Sequence, residues 1–330
     1  MNKYLAILIL IVLFSLKSIN CFSDTIYYDD IPYIKHYERN LSLRAYYGRK
    51  YASLNIEHDS KDSLQSSPIQ YSPNSPLIVG IDGGYKNYKF GFGLKIPQSK
   101  SNIEKYGETK YTDVAVSFYS RRLGGDIFYQ KYEAYYLTSP EKFDSLCPDS
   151  LPHPQNDMSI SSLTMNLFYI HNPAFSLKAT FGHTERQIKS RGSFMFMISA
   201  RNSTIFKEYS LIPQSQKEYF PKLKNLRSGR FLTVSFAPGY GHNIKINDFF
   251  FSISGFTGFG SQLQNYNLID YNEMRMRTVL KYSFRGAIGY NSDRIYVGLS
   301  FYIDSNTIPI DNVNLGIVKY EWKLSTGFRI

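Results

Sequence analysis

Two histidines and two serines are the residues of this chain whose types and spacing could support hydrolysis. His183 and His242 share the parity of the apolar residues in runs where polar and apolar side chains alternate, and Ser190 and Ser193 follow His183 closely. A serine activated by a neighbouring histidine is a nucleophile for acyl transfer. On a lipid-facing surface, such a pair would fit a lipase of the outer membrane. A lipid-facing histidine without a catalytic role is far commoner, so hydrolysis stands only as an alternative.

A second set of candidate residues is charged and takes the parity opposite to the apolar residues. If the strands that carry these residues close into a barrel, the charges face the lumen and could line a pore that prefers anions. The charges could instead pair with one another across the lumen and fill it, as in small barrels. The candidate lumen-lining residues are Lys89, Lys95, Lys281, Arg285, Lys319, Glu321 and Lys323.

No other chemistry is indicated by a motif. The six histidines have neither the HExxH nor the Cys/His spacing of metal sites, and the chain has no Gly-x-Ser-x-Gly elbow and no P-loop. We therefore expect no metal, no cofactor and no enzymatic activity. The two cysteines, Cys21 and Cys147, imply no disulfide framework.

The net charge of +11 is spread along the chain and does not gather in a run or on one helix face. This distribution argues against nucleic acid as a partner. A positive exterior that meets anionic lipopolysaccharide, or a basic lumen, accounts for the charge better. Tyrosine is abundant, with 29 residues, and its ring suits surfaces that meet both apolar and wet surroundings.

Long strands with strict period-two alternation are the elements that must position these residues. In Arg294–Asp304 and again up to the C-terminus, apolar residues take one parity and polar residues the other. Several runs keep their phase for ten or more residues, whereas strands of soluble proteins mostly have about five or six. Crossing the hydrocarbon takes about nine to eleven tilted residues. A soluble exported sandwich also alternates, but its strands are shorter.

The connections between runs and the aromatic residues beside them also favour a membrane barrel. Very short turns alternate with long polar loops, as expected for periplasmic turns and extracellular loops. A strand is predicted where Phe175, Leu177, Ala179 and Phe181 run back from the turn at 171–173. Aromatic residues flank the short turns and predict an interfacial girdle. They are Tyr88, Phe175, Phe249, Phe251 and Tyr290.

The predicted fold is all-β: an antiparallel transmembrane β-barrel. Counting gives about twelve strands from Pro76 onward, or thirteen with Leu41–Glu57. Because bacterial barrels prefer even numbers, we predict twelve strands, with fourteen as the next choice.

The N-terminus predicts export. Lys3 precedes the apolar run LAILILIVLF, which is typical of a signal-peptide core. We expect a cleaved signal peptide at 1–23, with lipidation of Cys21 as the open alternative. A periplasmic lead at 24–40 precedes a barrel at 41–330. Its long loops are predicted near 58–75, 97–109, 138–157 and 201–228.

Short motifs recur along most of the chain after residue 40. They are Arg49-Lys50-Tyr51, Tyr71-Ser72-Pro73-Asn74, Gly84-Tyr85-Lys86, the residues Arg186-Gln187, Lys189-Ser190 and Gly192-Ser193-Phe194, Leu211-Ile212-Pro213, and Gly289-Tyr290-Asn291-Ser292-Asp293-Arg294. With these motifs the chain resembles an uncharacterised family of Bacteroidetes-type bacteria, domain of unknown function 4421. In that family the residue before Gly192 is usually small, whereas this chain has Arg191. The resemblance implies an exported barrel-like protein and supplies no activity.

These observations together predict an outer-membrane protein of a Gram-negative bacterium with a structural or passive-transport role. A surface-exposed interaction or adhesion protein that works through its long loops is an alternative. The expected partners are outer-membrane lipid, lipopolysaccharide, and the barrel-assembly machinery acting on the C-terminal strand. The sequence does not indicate a small-molecule cargo.

Overall fold

The protein is described by a computed structural model that covers residues 33–37, 41–58, 68–138, 153–268 and 272–329. The predicted signal peptide, most of the periplasmic lead and residues 139–152 of the predicted loop lie outside these ranges. The first elements are β1 (Ile34–His36), β2 (Leu41–His58), β3 (Ile69–Ser72), β4 (Ile78–Tyr85), β5 (Tyr88–Lys95), α1 (Lys100–Tyr106), β6 (Lys110–Tyr119), β7 (Leu123–Thr138) and β8 (His153–Ile170).

The second half of the chain consists mainly of long antiparallel strands joined to their neighbours in sequence. No helix of the described ranges has the length and apolar character that crossing a membrane requires. The remaining strands are β9 (Glu185–Gln187), β10 (Arg191–Lys207), β11 (Leu226–Ile246), β12 (Phe249–Leu268), β13 (Asn272–Asn291), β14 (Ile295–Ile310) and β15 (Val313–Arg329).

Twelve strands close into a barrel, which confirms the predicted fold class and strand number. The ring runs from β2 through β4 to β8 and then from β10 to β15, and β15 returns to β2. The closing pair extends from Val313 opposite His58 to Arg329 opposite Ser42. The four-residue β3 bridges β2 and β7. Every pairing is antiparallel, and closure of β15 on β2 lets hydrogen bonds between strands satisfy most of the backbone groups along the strand edges.

The strands that make up the ring differ from the predicted set in two places. The early run Leu41–Glu57 is a full barrel strand. The predicted strand at 175–181 is wrong, because Phe175, Leu177 and Ala179 are buried in a segment that folds inside the barrel and contains a π-helical turn at Lys178–Gly182. Because β2 adds one strand to the predicted set and the segment 175–181 removes one, the total remains twelve. Phe175 is consequently not part of an interfacial girdle.

In the half of the barrel near the short turns, apolar side chains point outward and polar side chains inward. We call this half the short-turn end; it carries the turns at Lys86–Asn87 and Asn247–Asp248. The pattern is clear in β10, where Phe194 is 67% exposed and Ser193 is buried, and in β2, where Leu43 is exposed and Arg44 is buried. The arrangement is that of a membrane barrel, whose lumen side is polar.

At the opposite, long-loop end, the inner face becomes apolar. In β2 the inner residues Leu54 and Ile56 are fully buried, whereas the outer residue Glu57 is exposed. The loop 208–225 folds into this end and contributes Leu211 and Phe220 to the same apolar core. Along β2 the inner face changes from polar to apolar residues, while the strand itself continues without a break. The alternation of the sequence therefore loses its phase after Tyr47 although the strand does not end there.

A segment between β8 and β10, residues 171–190, fills the short-turn end, and we call it the plug. Its residue Phe175 packs with Phe168, Met195 and Phe256 from the inner faces of three strands. Its last part, β9, pairs with β1, so that Ile34 lies opposite Gln187. The barrel interior is therefore apolar at one end, filled by the plug at the other, and polar between them.

Ion pairs attach the β1–β9 ladder to the turn between β13 and β14. Lys35 Nζ lies 2.8 Å from Asp293 Oδ2, and Arg186 Nη1 lies 2.7 Å from Asp293 Oδ1. The hydrogen bond from Lys35, followed by that from Arg186, holds the pKa of Asp293 below its ordinary value of 3.8. A carboxylate with a lowered pKa stabilises the folded state above its ordinary pKa, and this contribution is lost as the pH falls through the lowered value.

We expect acid to loosen this attachment. Amide hydrogen exchange of residues 33–37, corrected for intrinsic rates, should stay slow from neutral pH to about pH 4 and become several-fold faster on further acidification. Asp293→Asn should give faster exchange already at neutral pH and remove the acid-dependent step. An acid step that persists in Asp293→Asn would assign the change to another group.

Candidate functional site

A partly open chamber in the polar middle of the barrel is the best candidate for a functional site. Its volume is about 140 Å³. Sites for drug-sized ligands usually measure about 300–1,000 Å³. The chamber can therefore hold several waters or one polar headgroup. Inner-face residues of eight strands line it, among them Tyr46, Lys50, Asp82, Lys89, Asp113, Asp126, Arg285, Tyr302, Glu321 and Lys323.

Two aspartates of the chamber are each held by several donors. Asp113 accepts hydrogen bonds from Lys50 Nζ at 2.7 Å and from Gln130 Nε2 at 2.6 Å. Asp126 accepts from Arg285 Nη2 at 2.9 Å and from the Tyr119 hydroxyl at 2.8 Å. Such charge-assisted hydrogen bonds offset the desolvation of a buried carboxylate. Each aspartate is thus held by one donor from the adjoining strand and by one cation from across the lumen.

The other two carboxylates also have close cations. Glu321 lies 2.6 Å from Lys323 Nζ, and Asp82 lies 2.5 Å from Arg44 Nη2. Lys89 Nζ is 3.7 Å from Asp82, beyond normal hydrogen-bond distance. Around the chamber, the described residues thus provide five cations (Arg44, Lys50, Lys89, Arg285 and Lys323) and four carboxylates (Asp82, Asp113, Asp126 and Glu321). Lys89 is the cation with the weakest partner.

A second charged cluster lies beside the chamber and carries more cations than anions. Asp304 forms ion pairs with Arg201 and with Lys281, and all three side chains are buried. Lys319 is buried as well, and its Nζ donates to Thr164 Oγ1 at 3.3 Å. Arg201 Nε donates to the same hydroxyl at 3.2 Å. Asp304 therefore carries most of the compensation for this buried positive charge.

The seven residues predicted to line the lumen fall into three places. Lys89, Arg285, Glu321 and Lys323 line the chamber. Lys281 and Lys319 belong to the second cluster, and Lys95 is exposed on β5, with its Nζ 4.5 Å above the ring of Tyr111. The sequence reasoning did not single out several further charged residues, although each has the same inward parity on its own strand. They are Arg44, Lys50, Asp82, Asp113, Asp126, Arg201 and Asp304.

His183 does not lie on a lipid-facing strand, so that part of the hydrolase hypothesis is wrong. It ends the π-helical turn in a left-handed conformation, is buried, and contacts the ring of Tyr296 at a centroid distance of 3.8 Å. Ser190 and Ser193 bond instead to the backbone of Lys245 and Phe194. Among the described residues, no group of His, Cys, Asp and Glu side chains is arranged to hold a metal ion.

The closed twelve-stranded ring, its apolar exterior and its charged interior define the class of outer-membrane-type β-barrels. Within that class, the chain belongs to the family described as "Domain of unknown function (DUF4421)", whose model matches residues 24–329. No curated protein sequence matches the chain.

Solved structures with a similar course of the chain are outer-membrane proteins of low sequence identity. The outer membrane protease OmpT from Escherichia coli is 9% identical, with a TM-score of 0.37, and the match covers 92% of this chain and 98% of that one. A bacterial polysaccharide outer membrane secretin is 10% identical (TM-score 0.35; 88% and 98% covered). The Pseudomonas putida toluene transporter TodX is 7% identical (TM-score 0.27; 89% and 91% covered). TM-scores this low carry no argument about function.

Proposed function

We propose that this protein is a non-conducting β-barrel of the outer membrane of a Gram-negative bacterium, with a structural role. The observation that carries the membrane placement is the pattern of exposure around the ring. Large apolar side chains such as Phe92, Phe236 and Leu299 are exposed on the outside, while charged side chains are buried inside. A continuous apolar exterior of this kind requires lipid to cover it.

The filling of the interior favours a closed barrel rather than a passive pore. The plug occupies the short-turn end, the loop 208–225 contributes to a buried apolar core at the long-loop end, and ion pairs cross the chamber between them. Ions would have to pass both fillings and break those pairs. Passive transport along the barrel axis therefore has less support than a structural role.

The long-loop end gives some support to a second role in surface interactions. Beyond the apolar belt the outer face turns polar, as at Asn55 and Glu57, while the interior forms the largest apolar core of the described chain. A rigid base of this type can present loops to partners. Lipopolysaccharide around the barrel and the assembly machinery at the C-terminal strand are the further partners that we propose.

Two measurements test the proposal together. In fractionated cells the protein should lie in the outer membrane and migrate faster on gels without heating than with heating, as closed barrels do. Reconstituted into planar bilayers, it should give no channel steps at any voltage that the bilayer withstands, whereas an open porin in the same bilayer does. Steady unitary conductance would overturn the structural role, and recovery in the soluble fraction would overturn the membrane placement.

A further inference from the structure

The barrel wall is incompletely paired between β5 and β6. Within 68–138, a fully described range, the ladder joins only Tyr88, Lys89 and Phe90 to Phe118, Ser117 and Val116. On its other side β5 pairs with β4 along its whole length, from Tyr88 to Lys95. If the first register continued, Gly91 would lie opposite Ala115 and Gly93 opposite Asp113. From Gly91 onward, β5 therefore has no hydrogen-bonded ladder to β6.

The unpaired seam separates the apolar exterior from the charged chamber. Gly91 and Gly93 line the chamber from β5, and Asp113, Ala115 and Ser117 line it from β6. Outside, the flanking residues of the seam are apolar and exposed. They are Phe90, Phe92, Leu94 and Val114. The missing ladder thus leaves the facing backbone edges of β5 and β6 between the lipid-facing surface and the chamber.

The glycines prevent side chains of β5 from closing the seam on the inside. A Cβ atom built on Gly93 would lie 2.4 Å from the Tyr46 hydroxyl oxygen, so the ring of Tyr46 requires a glycine at this position. Backbone groups of an open edge find no hydrogen-bond partner in hydrocarbon, and such edges persist only where protein, water or another polar group covers them. A polar ligand group in the seam would meet that requirement.

The charge balance of the chamber indicates that the polar ligand group is negatively charged. Each of the four carboxylates has a cation within 2.9 Å or less. The remaining cation is Lys89, whose Nζ lies 3.7 Å from Asp82 and whose side chain is partly exposed. Lys89 belongs to β5 and lies within the short paired segment, two residues before Gly91, where the ladder is missing. An anionic group that enters through the seam would therefore meet an ammonium group without a close partner.

We propose that the chamber binds the anionic headgroup of a single-chain amphiphile, such as a fatty acid, through Lys89, with the acyl chain leaving through the seam into the membrane. The chamber volume of about 140 Å³ accepts a headgroup and excludes a whole lipid. A seam between neighbouring strands suits one chain better than two. This inference rests on the proposed outer-membrane placement.

Photo-crosslinking with a medium-chain fatty acid that carries a diazirine tests the inference. The full-length protein is placed in lipid nanodiscs, irradiated and mapped by mass spectrometry. Labels should concentrate on β5 and β6. Lys89→Gln should reduce labelling there roughly fivefold, as expected for the loss of one partly exposed ion pair. Lys89→Arg, which keeps the charge, should retain labelling.

Controls separate a bound ligand from surrounding lipid and from misfolding. Lys131→Gln, which changes an exposed lysine outside the chamber on β7, should label like the wild type. Variants are compared only after heat-modifiable mobility shows a closed barrel. Labels spread evenly over outward residues of β11 to β13 would overturn the inference, as would β5 and β6 labelling that Lys89→Gln leaves unchanged. Neither result would alter the membrane placement, which fractionation tests separately.

Discussion

Replacing Asp304 by asparagine is expected to lower the free energy of unfolding by about 3–5 kcal/mol, because it leaves buried cations without their carboxylate. Asp304 is 1% exposed and pairs with Arg201 and Lys281, and both of these side chains are also buried. Thr164 is the remaining polar partner recorded for Arg201 and is shared with Lys319. Urea unfolding of the refolded protein in lipid, followed by the fluorescence of its single tryptophan, Trp322, measures the loss.

An exposed ion pair of the same chemistry provides the matched control. Asp293→Asn removes a carboxylate that also contacts two cations, Lys35 and Arg186, but Asp293 is about half exposed. Its effect on the free energy of unfolding should stay below about 1 kcal/mol. Adding Lys281→Met to Asp304→Asn should recover part of the stability, because one unpaired charge is then removed. A small and similar effect of both aspartate variants would show that water reaches the cluster around Asp304.

Period-two alternation predicted most of the barrel because lipid and lumen impose opposite demands on the two faces of a strand. This rule identified the long strands from β11 to β15 and the inward position of residues such as Lys281 and Arg285. The carboxylates that pair with them lie on other strands, Asp304 on the adjoining β14 and Asp126 on the distant β7. Parity gives the face on which a charge lies, but only strand order and register show which charges meet.

The plug was missed because alternation does not reveal what surrounds a segment. Phe175, Leu177 and Ala179 alternate with Ser176 and Lys178 as in a strand. In the structure both sets are buried, since the barrel encloses the segment, and Ser176 Oγ accepts a hydrogen bond from the Ala179 amide. The interpretation of Phe175 as an interfacial aromatic failed for the same reason.

Two further features can be seen only in the three-dimensional structure. The apolar interior of the long-loop end puts Leu54 and Ile56 on the inward parity, which a rule of apolar outside and polar inside cannot anticipate. The open seam between β5 and β6 leaves no trace in polarity, because Phe92 and Val114 alternate as they would in a fully paired strand. The candidate ligand passage therefore became visible only from the register.

Leu299→Arg is expected to impair folding far more than Ser300→Arg, although the two positions are neighbours on β14. Leu299 is 42% exposed on the outer face and lies between Ile288 and Leu324 on the adjoining strands. An arginine in the apolar belt of a membrane barrel costs about 2–4 kcal/mol near the bilayer midplane. The cost arises because the guanidinium must lose its water or distort the lipid around it.

Ser300 provides the test of which face meets lipid, because its side chain lines the charged chamber. Lys323 lies opposite it on β15, and Glu321 also lines the chamber. An arginine at 300 should therefore cost less than half as much as one at 299, a comparison based on the low penalty for charges on the lumen side. Refolding yield by heat-modifiable mobility, followed by urea unfolding in lipid, compares the two variants in one host. Equal losses would indicate that the outer face of β14 is not covered by lipid, since water would tolerate the arginine at 299 and leave only the packing change at each site.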